Sequence, residues 1–243
     1  MPTITRSRRR LPPWAPALCF LLGWVLLTFY PRPADLVLSV YRVFRPPINA
    51  DYIAAQAHLF ADLDDPVAIE RRVSELFPYR YDWVAYNRPW YFPTVDEAFL
   101  VMTGDCKTHL LVLASILEYR GIPYSFSASP THVWVEYPGK RETRGENAYV
   151  AFFSADPESG ARSWKRPTTV DLRRSLDSFW TAFWHYMPPH KKQTLATGFV
   201  LSILLGITLQ VLRRFRGRAA GPAAIITTVL AGRRRKRPAA IDS

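Results

Sequence analysis

The sequence predicts an α+β domain held between two membrane helices, and three observations carry that reading. Apolar residues recur at helical spacing through residues 35–120 and then, past Gly121-Ile122-Pro123, alternate with a period of two. Two charge-free apolar runs, Leu11–Tyr30 (20 residues) and Thr194–Leu212 (19 residues), bracket that region. At about 1.5 Å per residue, each is long enough for a hydrocarbon core about 30 Å thick. The charge is partitioned to match: of the net +12, residues 1–30 carry +4, residues 213–243 carry +8, and residues 31–212 balance nineteen bases against nineteen acids.

Basic ends around a neutral middle exclude a nucleic-acid footprint, which needs the charge on the folded module. They fit the positive-inside rule, which sends both termini to the cytoplasm and the middle to the opposite side. The divisions expected are a basic N-terminus (1–10), a first span (11–30), a domain (31–190), a second span (194–212) and a basic tail (213–243). An Arg-rich flank before an apolar run also describes a signal peptide, but no small-x-small cleavage site follows Leu26. Phe179, Trp180, Phe183, Trp184 and Tyr186 stand before the second span, as an interfacial aromatic belt or as the apolar face of a helix packed on the domain. With 49% hydrophobic residues, 11 glycines and two cysteines, the chain is neither disordered, collagenous nor a disulfide scaffold.

Within the domain, Asp35–Phe44 is helix-compatible and closed by Pro46-Pro47. Ile53, Ala57, Phe60 and Leu63 predict a helix over 50–63, and Asp65-Pro66 an N-cap and first helical position for another through Phe77. Tyr79–Pro93 is broken by proline and predicts an ordered loop. Thr94-Val-Asp-Glu97 predicts a capping box for a helix ending near Gly104. A helix from Asp105-Cys106 to Arg120 stops at Gly121, where glycine supplies the left-handed cap. Tyr124–Ala128, His132–Tyr137 and Ala148–Ala155 then predict antiparallel strands.

Cys106 is the one cysteine outside the apolar runs, so it has no disulfide partner in its domain. An isolated cysteine is commonly a small buried hydrophobe. This one starts a helix, where free N–H groups and the macrodipole favour a thiolate, and it aligns with Leu110, Leu113 and Leu117 toward the sheet. A thiol nucleophile needs a base, and the base needs an orienting group. His132 opens the strand His-Val-Trp-Val-Glu and Asp156 ends the next one, so neighbouring strands would bring both to the helix start. His109, one turn beyond Cys106, is an alternative base without an evident orienting acid. Zinc held by Cys106, His132 and Asp156 lacks a close-spaced ligand pair. No calcium loop and no cofactor motif occur.

Gly104-Asp105-Cys106, the leucine-rich helix to Gly121-Ile122-Pro123, His132-Val-Trp-Val-Glu136 and Asp156-Pro157 resemble the transglutaminase-like branch of the papain-like cysteine enzymes. Tyr79-x-Tyr81-Asp82 and Trp90-x-x-Pro93-Thr-Val-Asp-Glu97 are similar to the lead-in of its bacterial members, and the resemblance covers residues 75–160. It implies Cys106 as nucleophile, His132 as general base and then acid, and Asp156 as the group that orients the imidazole. It also implies an oxyanion site made by the Cys106 N–H and an upstream donor, for which Trp90, Tyr91 and Asn87 are candidates. Thr108 and Leu110 depart from the acid and the small residue that the family often carries there. The implied function is amide acyl transfer through a Cys106 thioester, with hydrolysis favoured, on a peptide or protein substrate and without a cofactor. The alternative from another class is a non-catalytic membrane module that keeps the fold to bind a peptide or polymer.

Overall fold

The computed structural model describes residues 12, 14–143, 145–147, 149–166 and 172–234. The basic N-terminus expected at 1–10 and residues 235–243 of the tail lie outside them. The fold is α+β: among the described residues, nine α-helices accompany one four-stranded antiparallel sheet. The chain divides into two compact units, residues 29–192 and residues 1–28 with 193–243.

In the second of these units, α1 (Ala15–Phe29) meets α9 (Pro189–Arg234) through sparse but specific contacts. Trp24 Nε1 donates to the Thr194 carbonyl at 2.8 Å, and Ser202 Oγ donates to the Ala17 carbonyl at 2.9 Å. Gly198 faces Trp24 so closely that a Cβ would stand 2.1 Å from the indole, the small-residue contact by which helices approach in lipid. Among the described residues, Pro189–Phe215 is the one helix long and apolar enough to cross a membrane alone. Helix α1 covers Ala15–Phe29, less than the predicted first span Leu11–Tyr30. It reaches the same length only when taken with α2 across the break at residues 30–33.

The unit 29–192 is built around α7 (Cys106–Arg120). The predicted helix presents one apolar stripe, yet every residue from Leu110 to Leu117 is buried, because α3 (Ala50–Ala55), α4 (Pro66–Leu76) and α6 (Val95–Val101) cover one side and the sheet the other. The caps hold as the sequence reads. Asp65 accepts from the Val67 N–H, Thr94 and Glu97 form a reciprocal capping box, Asp105 accepts from the Lys107 N–H, and Gly121 takes φ +64°. The predicted helix over 50–63 breaks at Gln56 into α3 and a 3₁₀ turn, Ala57–Phe60. Within the predicted loop 79–93, Asp82–Ala85 forms a short helix, α5.

The sheet order is β2-β1-β3-β4, with β1 Ser125–Ala128, β2 Val133–Glu136, β3 Phe153–Ala155 and β4 Arg162–Trp164. Alternation sets the faces of β2. Val133, Val135 and Tyr137 pack into the core, while His132, Trp134 and Glu136 face the other way. β4 was not predicted, since Arg-Ser-Trp is too short and too exposed to show a period. After it come α8 (Leu172–Trp180) and a π-helical turn, Thr181–His185. Phe183 packs on the domain against Phe29, and its carbonyl accepts from Trp83 Nε1 at 2.7 Å, whereas Phe179 and Trp180 stay exposed.

Phe77, fully buried and edge-on to Phe99, lies under the N-terminal half of α7. Phe77→Ala is expected to cost about 3–5 kcal/mol, the range for a buried aromatic truncated to a cavity. Chemical denaturation of the full chain in detergent, followed by tryptophan fluorescence, measures it.

Candidate active site

A cleft of about 1370 Å³ in the unit 29–192 contains the start of α7 and the edge of the sheet. Cys106 lines it as the first residue of α7, and its N–H has no acceptor among the described residues, as expected of a first-turn amide. The turn into the helix is fixed from both sides. Tyr79 and Gly104 form a bridge, the Arg80 N–H donates to the Gly104 carbonyl at 2.8 Å, and Thr103 Oγ1 donates to the Pro78 carbonyl at 2.6 Å. A Cβ on Gly104 would lie 2.1 Å from Thr108 Oγ1, and Thr108 is itself held by the Tyr86 hydroxyl at 3.1 Å. The pairing also runs Tyr79 and Tyr81 beside the thiol. Burial, the leading cause, raises both phenols above their ordinary range.

Beneath the turn is a buried charge cluster. Lys107 Nζ bonds both Asp105, the helix cap, and Asp82, the first residue of α5, the latter at 2.9 Å. Burial works against the Lys107 charge, yet the two carboxylates hold its pKa above the ordinary lysine value. Asp82 also accepts the Tyr91 N–H at 2.8 Å, and burial pushes its carboxyl up; its Oδ1 has no hydrogen-bond partner among the described residues.

His132 Nε2 meets Glu146 Oε1 at 2.6 Å, and the ring stacks on Trp134 at 5.8 Å between centroids. Burial pulls the imidazolium down, but the neighbouring Cys106 side chain and the bonded Glu146 carboxylate together raise its pKa to about 9. Burial pushes Glu146 up, and the His132 bond with the Lys140 ammonium outweighs it and brings Glu146 down to about 2. Lys140 is the prop of this carboxylate. Its buried ammonium joins Glu146 Oε2 at 3.0 Å, Glu70 Oε1 at 3.0 Å and the Val135 carbonyl at 2.8 Å.

Asp156 is not on the imidazole. The expectation required the strands of His132 and Asp156 to be neighbours, but β1 lies between them. Ala128 of β1 pairs with Val133 on one side and Phe153 on the other, so His132 is level with the start of β3. Asp156 follows Ala155, which pairs with Phe126 toward the opposite end of the sheet. There its carboxylate accepts from the Ser159 hydroxyl at 2.6 Å and from the Glu158 N–H at 2.9 Å, and the Ser159 bond first of all holds its pKa down. Glu146 escaped the sequence reading because it lies in Gly-Glu-Asn, which reads as a turn. The acid fourteen residues past His132 is the signal that could have found it.

The other candidates also have definite places. His109 Nε2 bonds the Phe77 carbonyl at 2.6 Å. Of the upstream donors, Tyr91 spends its N–H on Asp82 and its hydroxyl on Glu97, Asn87 does not line the cleft, and Trp90 lines it. Among the described residues no group of three potential ligands converges to hold a metal, and Cys106, His132 and Asp156 do not meet.

No protein-family model, curated protein or solved structure matches the chain.

Two outcomes test this geometry. Because His132 is raised from 6.5 to about 9, its share of stability is complete below pH 6.5 and lost as the pH climbs through about 9. Because Glu146 is lowered from 4.5 to about 2, its share is present above pH 4.5 and lost as the pH falls through about 2. Glu146→Gln should remove the acid limb and shrink the alkaline one in Tm measured against pH. Lys107→Met leaves two buried carboxylates without their cation and should cost about 3–5 kcal/mol by the same denaturation assay.

Proposed function

We propose that the chain is a membrane-anchored cysteine enzyme of transglutaminase-like type that cleaves or transfers an amide acyl group, with hydrolysis favoured and a peptide or protein as substrate. The single observation that carries this reading is the His132 imidazole bonded to Glu146 at 2.6 Å in the cleft that Cys106 lines. It supports a nucleophile, a proton carrier and an orienting acid in the chain order Cys, His, Glu.

In this reading the Cys106 sulfur, as thiolate, attacks the amide carbon, and the oxyanion takes the free Cys106 N–H. His132 gives its proton to the leaving nitrogen as the C–N bond breaks, leaving a thioester and a neutral imidazole. The imidazole then takes a proton from water, the hydroxide adds to the thioester, and the acid leaves as the thiolate is restored beside the imidazolium. Glu146 fixes the ring throughout, and Lys140 fixes Glu146. Both apolar helices serve as anchors, with the termini cytoplasmic and the domain outside, a topology supported by the +4 and +8 ends around a neutral middle.

The rate at which iodoacetamide alkylates Cys106 at pH 6, read by peptide mass spectrometry, tests the pairing. A free thiol of pKa about 8.5 is only about one part in three hundred ionised there, so the folded chain should react up to about 100-fold faster. His132→Ala should abolish the advantage. Glu146→Gln should reduce it only in part, since the Cys106–His132 pair needs no third member to persist, and Asp156→Asn should leave it unchanged. Adding Glu146→Gln to His132→Ala should change nothing more, since no ring is left to orient. If Asp156→Asn reduces the rate and Glu146→Gln does not, the orienting role belongs to Asp156; alkylation at the free-thiol rate removes the catalytic reading and leaves the binding module.

A further inference from the structure

Helix α2 (Ala34–Phe44) is amphipathic in the reverse sense. Its polar residues Asp35, Ser39 and Arg42, spaced i, i+4 and i+7, face the domain. Each is bonded there. Arg88 Nε donates to Asp35 at 2.9 Å, Ser39 Oγ accepts the Phe92 N–H at 3.2 Å, and Arg42 donates to the Phe92 carbonyl at 2.8 Å and to Glu97 at 3.2 Å. The apolar residues face out, with Val37 68%, Tyr41 54% and Phe44 57% exposed in the full chain, joined by Leu38, Val40 and Val43.

The inward bonds fix the rotation of this helix, so the apolar face cannot turn away from its surroundings. A contiguous outward apolar face needs an occupant. The chain supplies the argument for which one. Only residues 30–33 separate α2 from α1, which is apolar and free of charge. Exposed arginines stand at both ends of α2, Arg32 at 3.7 Å from Asp35 and Arg45 beyond Phe44, while its one acid, Asp35, is itself buried. Apolar residues between terminal cations match acyl chains beneath anionic headgroups, and long basic side chains reach back to phosphate from such a position. Leu176, Phe179 and Trp180 of α8 are outward in the same unit.

We propose that α2 lies in the interface of the bilayer, its face of Val37, Leu38, Tyr41 and Phe44 seated about 5–10 Å below the headgroup boundary as in other interfacial helices. Val43 and Phe44 also line the Cys106 cleft, which brings one rim of that cleft to the lipid surface. The inference rests on the membrane-anchored reading and not on the catalytic one.

The test uses the full chain with Cys19→Ser and Cys106→Ala, in nanodiscs of phosphatidylcholine and phosphatidylglycerol holding one copy each. A nitroxide is attached in turn at Val37→Cys, Tyr41→Cys, Leu204→Cys in α9 and the exposed Asp51→Cys. Power saturation against oxygen and a water-soluble nickel chelate reads the depth of each label. High oxygen and low nickel access at positions 37 and 41, as at 204 and unlike 51, supports the proposal. Access at 37 and 41 equal to that at 51 overturns it, and so does shielding from both reagents, which means a covering of protein. A water-like reading at 204 defeats the membrane reading itself, and this inference with it.

Discussion

A buried ammonium between two carboxylates ties the Cys106 helix to the chain that leads into it. Lys107 joins Asp105, which caps α7, to Asp82, which opens α5, and Asp82 in turn holds the Tyr91 backbone. Three segments that nothing covalent brings together are thereby fixed around Cys106. Desolvating one cation and two anions is costly, and the arrangement is tolerable only because each charge is met by another or by an N–H. Specificity of position is what this cluster supplies.

The carboxylate on His132 has no sheet ladder to hold its backbone, since Glu146 sits in a turn bonded to Thr143. Its place depends on Lys140, which is anchored by Glu70 of α4 and by the Val135 carbonyl of β2. Helix, strand and turn therefore meet at one ammonium. Tyr137 adds to the same point by donating to Glu70 at 2.5 Å.

What could be read from the sequence was local. Thr94 with Glu97, Asp105 with Lys107 and Gly121 each act within a few residues, so their caps are visible in one dimension. The alternation of His132 to Tyr137 assigned the two faces of β2 because a strand's period is its own property. Strand order is not local. That β1 pairs on both sides separates β2 from β3 and carries Asp156 away from His132, and no single strand's own residues specify it. Likewise residues 35–44 read only as an apolar, helix-compatible stretch, and it is the hydrogen bonds of Asp35 and Ser39 that tell which face is inward.

The contact of Trp24 with Gly198 and Thr194 closes the chain over 170 residues. At about 5–20 residues per second, the ribosome needs about 10–30 s to make the stretch between them. Throughout that interval α1 exists without its partner, while all of residues 29–192 is being completed. The order of events is thus written into the connectivity: the unit 29–192 has its whole sequence before the helix pair can form. The late-arriving helix brings the glycine notch and a carbonyl, and must find one indole with them.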